Sequence, residues 1–357
     1  MEIITAIDKK IGEVRTESID LSVGEIVALH ENKELVIQPD FQRLFRWSTE
    51  QRSRLVESML LELPIPSIFV IEREDGVLEL IDGLQRVSSL IQFVSSNALG
   101  LQPLTLDGCD LVNELNGMSF DILPLTLRLR LKRTGIRTVV IKRQSSQFLR
   151  YEMFKRLNTG GAKLSEQDIR NVNARMIGDE GKKFYDFLAS CSSYQSFLTT
   201  TDLLSTAAVD ARAREELVLR FFAVMNYREK FKGSISEWLD NYMEKIIIEG
   251  MIFDYNSQKS NFEKLFDILA EKFGPYAFVK YRSGKPVGGL APAYYEAVTA
   301  GCFKNLAKLE SLTATAAIDK LARVVASDEF REVTGPGANS LPKLERRIAI
   351  VSDEFTQ

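Results

Sequence analysis

Two textures of hydrophobic and polar residues meet near residue 160. Upstream, short strand-like runs are punctuated by Pro and Gly: Leu35 to Ile37 ahead of Pro39, Ile68 to Glu72, Leu78 to Ile81, and Thr138 to Lys142. The stretch from Ile68 to Ile81 predicts a hairpin, because Asp75-Gly76 can take positive φ angles between two β-prone runs. Ser48-Thr-Glu-Gln51 reads as a capping box, in which hydroxyl and amide side chains each satisfy a first-turn backbone N–H. Leu55, Met59 and Leu63 follow at helical spacing until Pro64 and Pro66 stop the helix. A further amphipathic helix is expected after Asp82-Gly83, with Val87, Leu90, Ile91 and Val94 on one face. Residues 124–135 are ambiguous. Leu125, Leu127, Leu129 and Leu131 alternate as in a strand, while Pro124 and Gly135 stand where a helix starts and stops; the reading favours a short helix.

Downstream the period becomes helical almost throughout. Ser165-Glu-Gln-Asp168 caps one helix, and further helical runs are expected over Asp210 to Phe231, Ser234 to Glu249, Ser257 to Phe273, Ala291 to Phe303, Thr313 to Phe330 and Leu341 to Phe355. Gly284 to Pro292 and Gly335 to Pro342 read as connectors. The expected architecture is an α+β domain over 1–160 followed by an all-α helical domain over 161–357, matching the two domains that 357 residues suggest.

Composition narrows the chemistry. With 45% hydrophobic and 27% charged residues the chain is ordinary globular material, able to bury a core. The single histidine, His30, cannot supply an HNH nuclease centre or an HExxH zinc site, which need more than one imidazole. Chemistry here falls to carboxylates, amides and guanidinium groups. Cys109, Cys191 and Cys302 are far apart in sequence and suggest buried thiols in a reducing compartment rather than a metal or disulfide framework. Charged residues interrupt the N-terminal segment, and no apolar run reaches the roughly 20 residues needed to span a bilayer, so a cytoplasmic protein without membrane contact is expected.

The most informative point is Ile81-Asp-Gly-Leu-Gln-Arg86, a strand feeding a helix through glycine. Such a junction offers backbone N–H groups and the positive end of a helix dipole to a phosphate, and Gly83 lets a ligand approach the backbone. Gln85 and Arg86 lie three and four residues beyond Asp82 and share its face. Asp82 is then a candidate for holding Mg2+ or activating water, Gln85 for orienting the water, and Arg86 for neutralising phosphate charge. The competing reading is a surface Asp82/Arg86 pair at a helix start. Upstream, Arg43, Arg46, Arg52 and Arg54 are interleaved with Phe41, Phe45 and Trp47; the aromatic rings suit base stacking or simple packing.

The net charge is −3, yet Thr126 to Arg156 holds ten Lys or Arg against Glu152 alone. This basic stretch, with Arg128, Arg130, Lys132 and Arg133 as candidate DNA contacts, reads either as a solvated face or as a track for a nucleic-acid backbone. No Walker A or dinucleotide fingerprint is present.

In order along the chain stand QPDFQRLFRW, LPIPSIFV, LELIDGLQRVSSL and FKRLNTGGAKLSEQDIRN. This succession resembles the N-terminal domain family of the GmrSD modification-dependent restriction enzymes, over residues 36 to 173. The resemblance implies a ParB/sulfiredoxin-like fold and nucleoside triphosphate binding and hydrolysis in phage defence or DNA restriction. It assigns nucleotide-site roles to Asp82, Gly83, Gln85 and Arg86, with Gln42, Arg43 and Trp47 facing the same cleft. Leu84 departs from the family's DGQQR box, which implies weaker hydrolysis with binding intact, and the lone histidine leaves no HNH centre in this chain. The runner-up expectation is a non-enzymatic DNA-binding or adaptor module that recruits a separate nuclease subunit.

Overall fold

The computed structural model describes residues 15–37, 47–145, 165–282 and 284–356, together with residues 3–5, 7 and 153. The chain divides into two compact units, Met1–Lys163 and Leu164–Gln357.

The first unit is built on a five-stranded mixed sheet. Its strands are β1 (Thr16–Ser22), β2 (Leu35–Val36), β3 (Ile68–Glu72), β4 (Leu78–Asp82) and β5 (Gly135–Ile141), in the spatial order β1-β5-β3-β4-β2. β5 runs antiparallel to β1 and parallel to β3; β4 runs antiparallel to β3 and parallel to β2. Among the described residues the longer helices of the unit are α1 (Val23–Glu31), α2 (Thr49–Leu60), α3 (Leu84–Ser95) and α4 (Leu125–Arg133). Ser22 ends β1 and caps α1, its hydroxyl accepting from the Glu25 N–H while the Glu25 carboxylate accepts from the Ser22 N–H. Ser48 and Gln51 form the expected reciprocal cap on α2. The Ile68 to Ile81 hairpin forms as expected, with Gly76 at φ 82°.

Residues 125–133 are helical, and the exposure of the four leucines shows why. Leu127 and Leu131 face the core, whereas Leu125 and Leu129 are 61% and 37% exposed. Strand geometry would have set all four on one side. The core joins Val23 and Ile26 of α1, Val56 and Met59 of α2, Ile68 and Val70 of β3, and Val87, Leu90 and Ile91 of α3. Each such side chain contributes about 1.5–3 kcal/mol when fully buried.

The second unit is mainly helical: α5 (Glu166–Met176), α6 (Asp179–Ser192), α7 (Gln195–Thr200), α8 (Thr206–Asp210), α9 (Ala213–Asn226), α10 (Ile235–Ile247) and α11 (Tyr255–Phe273) are followed, beyond residue 290, by α12 (Pro292–Phe303), α13 (Leu306–Ser311), α14 (Ala314–Ala326), α15 (Asp328–Thr334) and α16 (Leu341–Thr356). Phe197, Phe221, Phe222, Phe262 and Phe266 make a buried aromatic centre, with the Phe262 and Phe266 rings 4.4 Å apart. Through this interior runs an alternating chain of charges. Arg170 holds Asp240 (2.8 Å) and Glu216 (3.3 Å), Arg220 holds Glu216 and Glu296 (3.0 Å each), and Arg347 closes on the other Glu296 oxygen. Arg170, Glu296 and Arg347 are each 1% exposed, and pairing is what makes their burial tolerable.

Three expectations for this half are corrected. The single helix over Asp210 to Phe231 is broken at Arg212, whose φ of 62° separates α8 from α9 and whose guanidinium reaches Asp168 (3.6 Å) and Glu215 (3.4 Å). The run from Thr313 to Phe330 is likewise two helices, because the Ser327 hydroxyl accepts from the Phe330 N–H and starts α15 afresh. The unit is not purely α-helical either: β6 (Lys280–Arg282) and β7 (Lys285–Val287) pair antiparallel, so a ribbon occupies part of the expected connector. No helix among the described residues is long and apolar enough to cross a membrane.

Candidate phosphate site at the strand-helix junction

The last residue of β4 is Asp82, and α3 begins two residues later. Gly83 makes the turn at φ 96°, a left-handed conformation, and supplies no side-chain cap to the helix. A Cβ on Gly83 would lie 2.5 Å from Cγ2 of Ile68, so glycine is required for the helix start to pass close to β3. Close packing thus explains this glycine without a ligand, a reason the sequence reading did not foresee.

Arg86, one helical turn on, folds back over the junction. Its Nη2 donates to Asp82 Oδ2 (3.0 Å) and to the Ser67 carbonyl at the foot of β3 (3.1 Å). Asp82 and Arg86 therefore pair as the simpler reading supposed, but the pair is sheltered, with side chains 29% and 17% exposed. The Arg86 Nε is buried and has no hydrogen-bond partner among the described residues. Gln85 accepts the Trp47 backbone N–H at Oε1 (3.1 Å), which ties the end of the QPDFQRLFRW stretch to the first turn of α3. The Trp47 ring is partly buried against the core, and Leu84 packs there too, so the apolar residue in the DGLQR box has a structural place. Gln42 and Arg43 lie outside the described residues, as do Phe41, Phe45 and Arg46.

The two described arginines of this region, Arg52 and Arg54, are committed elsewhere. Arg52 donates to Gln92 (2.7 Å) and Thr49 (3.1 Å), and Arg54 to the Gly108 carbonyl (3.2 Å). What the junction offers chemically is one carboxylate, a guanidinium with an unspent N–H, and the N-terminal turn of a helix. Among the described residues no three His, Cys, Asp or Glu side chains come together as a metal cluster. One carboxylate oxygen is engaged by Arg86, and the other fits the part a single carboxylate plays for Mg2+ held mainly by phosphate and water.

Residues 23–174 match the family model of the GmrSD restriction endonuclease N-terminal domain. This segment is similar to a GmrSD N-terminal domain. The match begins at α1, includes the whole Asp82–Arg86 junction, and ends within α5. No curated protein matches the chain.

Within the matched segment the described part of the basic stretch, up to Arg143, does not form a uniform face. Arg137 pairs with Asp20 of β1 (2.8 Å), and Lys142 with Glu17 (3.0 Å) and Glu72 (3.6 Å). On α4, Lys132 and Arg133 are exposed, Arg130 donates to the Leu60 carbonyl (3.4 Å), and the Arg128 Nε is buried without a partner among the described residues. The GmrSD box that ends in Arg170-Asn171 contributes a structural residue: Arg170 is the buried cation that holds Asp240 and Glu216. Ser67 and Ile68, which position Arg86 and Gly83, escaped the sequence reading as site residues, although the LPIPSIFV segment that carries them was singled out.

Proposed function

We propose that the Asp82–Arg86 junction binds the phosphate groups of a nucleoside triphosphate and, with Mg2+, hydrolyses it, within a protein that acts in DNA restriction or phage defence. The observation that carries this reading is Arg86: a sheltered guanidinium at a helix N-terminus, held by Asp82 and Ser67, with a buried N–H that has no acceptor among the described residues. The GmrSD match over residues 23–174 supports the restriction context.

In this reading Arg86 and the first-turn N–H groups hold phosphate oxygens, and Asp82 places the magnesium, which supplies charge neutralisation when bound. Gln85, its amide fixed by the Trp47 N–H, borders the attacking water. Trp47 borders the nucleotide in this reading, and Gln42 and Arg43, which the family resemblance assigns to it, lie outside the described residues. We further read the α+β unit as a ParB/sulfiredoxin-like fold, and the nuclease, if one acts, as a separate subunit, since this chain carries a single histidine.

The test is phosphate release by the purified chain with Mg2+, compared with Asp82→Ala and Arg86→Ala, alongside direct binding of a fluorescent nucleoside triphosphate. Both variants should lose hydrolysis, and Arg86→Ala should also lose binding. Equal activity in wild type and both variants, or no nucleotide binding by wild type, would sink the reading.

A further inference from the structure

The β6–β7 ribbon has a one-sided distribution of charge that its pairing dictates. Lys280 stands opposite Val287, Tyr281 opposite Pro286, and Arg282 opposite Lys285. Because side chains alternate along a strand and paired residues share a face, Lys280, Arg282, Lys285 and Val287 project from one side, and Tyr281 and Pro286 from the other. The second side is anchored: Tyr281 is 5% exposed and its hydroxyl donates to the Tyr276 carbonyl (3.3 Å). The first side is open, with Lys280, Arg282 and Lys285 all exposed. Among the described residues none of the three is in an ion pair. Arg282 and Lys285 face each other directly, an arrangement of like charges that weakens a ribbon unless an anion lies across them.

We propose that this face of the ribbon is a contact site for the phosphate backbone of duplex nucleic acid. Three unpaired cations on a two-stranded ribbon suit a polyanion, and a ribbon of this kind fits a duplex groove. The open face carries no aromatic ring, since Tyr281 turns inward, so it lacks the stacking platform that single strands use. Its single apolar side chain, Val287 at 40% exposure, is too little to seat the ribbon in a lipid surface. The ribbon belongs to the second unit, and the proposal does not rest on nucleotide hydrolysis at the Asp82–Arg86 junction.

The experiment is anisotropy of a labelled duplex titrated with the full chain across a salt series. Three phosphate contacts correspond to a slope of about −2.7 in log K against log salt, or about 40-fold in affinity over a four-fold rise in salt. The variant carrying Lys280→Ala, Arg282→Ala and Lys285→Ala should bind more weakly, with a slope shallower by about 2 to 3. The charge-retaining variant with Lys280→Arg, Arg282→Lys and Lys285→Arg should keep the wild-type slope, and Asp82→Ala should bind like wild type. Should the triple alanine variant fail to fold by circular dichroism, Lys285→Ala alone decides, with an expected slope change of about 1. Absence of duplex binding by wild type at low salt, an unchanged slope in the alanine variants, equal loss in the charge-retaining variant, or binding only to phosphatidylserine vesicles would each overturn the proposal.

Discussion

Gly83→Ala tests the geometry of the junction in isolation from any ligand. Alanine at φ 96° costs about 1–2 kcal/mol for the left-handed backbone. Its Cβ also lies 2.5 Å from Cγ2 and 3.0 Å from Cβ of Ile68, a fully buried residue that cannot move without disturbing β3, which adds about 1–3 kcal/mol of overpacking. The expected loss is therefore about 2–5 kcal/mol, a large part of the roughly 5–15 kcal/mol that stabilises a typical domain. Trp47 and Trp238 are the only tryptophans and lie one in each unit, so urea unfolding in a Trp238→Phe background reports on the first unit through Trp47. A double-mutant cycle separates the two costs. Ile68→Ala alone should lose about 2–5 kcal/mol as a core truncation, yet combined with Gly83→Ala it should be milder than the sum by about 1–3 kcal/mol, because the methyl in the way is gone. A loss below about 0.5 kcal/mol for Gly83→Ala, or strict additivity in the cycle, would refute the reasoning. A positive result would also mean that nucleotide loss in Gly83 variants reports on folding, so Asp82 and Arg86 are the better probes of function.

Other expectations follow from burial in the second unit and from the thiols. Glu296→Ala takes the carboxylate from buried Arg347 and leaves Arg220 with Glu216 alone, and should cost about 3–5 kcal/mol, whereas Arg323→Ala, at a pair 66% exposed on its arginine side, should change stability by less than about 1 kcal/mol; thermal unfolding of both distinguishes the cases. Burial raises the Glu215 carboxyl above its ordinary 4.5, with Asp168 reinforcing and Arg212 and the Asn171 hydrogen bond opposing. The folded chain then keeps a proton that the unfolded chain has released, so this residue's contribution to stability falls as pH rises from about 4.5 through the raised value. Glu215→Gln should lack that fall, and a wild-type-minus-variant stability that is flat or rising over this range would contradict it. Burial pushes the Cys109 thiol to about 11 and Cys191 to about 12, and raises Cys302 as well, so Ellman's reagent at about pH 8 should label none of them until the chain unfolds. Rapid labelling of the native protein would show that at least one is accessible.

The sequence by itself determined what short-range physics decides. The Ser48 and Ser165 capping boxes, the Asp75-Gly76 hairpin and the strand-to-helix turn at Asp82-Gly83 each depend on a few neighbouring residues, and each is where the pattern put it. The order of the boxes carried the family, because motif spacing survives without knowledge of contacts. β1 and α1 escaped the reading: Thr16–Ser22 is mostly exposed and takes its strand geometry from pairing with β5, over a hundred residues away.

Tertiary structure alone decided the rest. Whether Leu125 to Leu131 became strand or helix turned on which leucines the core could reach. That Gly83 must be glycine depends on Ile68, that Arg86 is sheltered depends on Ser67, and that Gln85 is fixed depends on Trp47, all partners 15 or more residues away in sequence. The alternating Arg170 to Arg347 chain and the cationic face of the β6–β7 ribbon are likewise invisible in composition. Charge along a sequence records how many ions there are, and only packing decides which find a counter-ion and which are left for a partner.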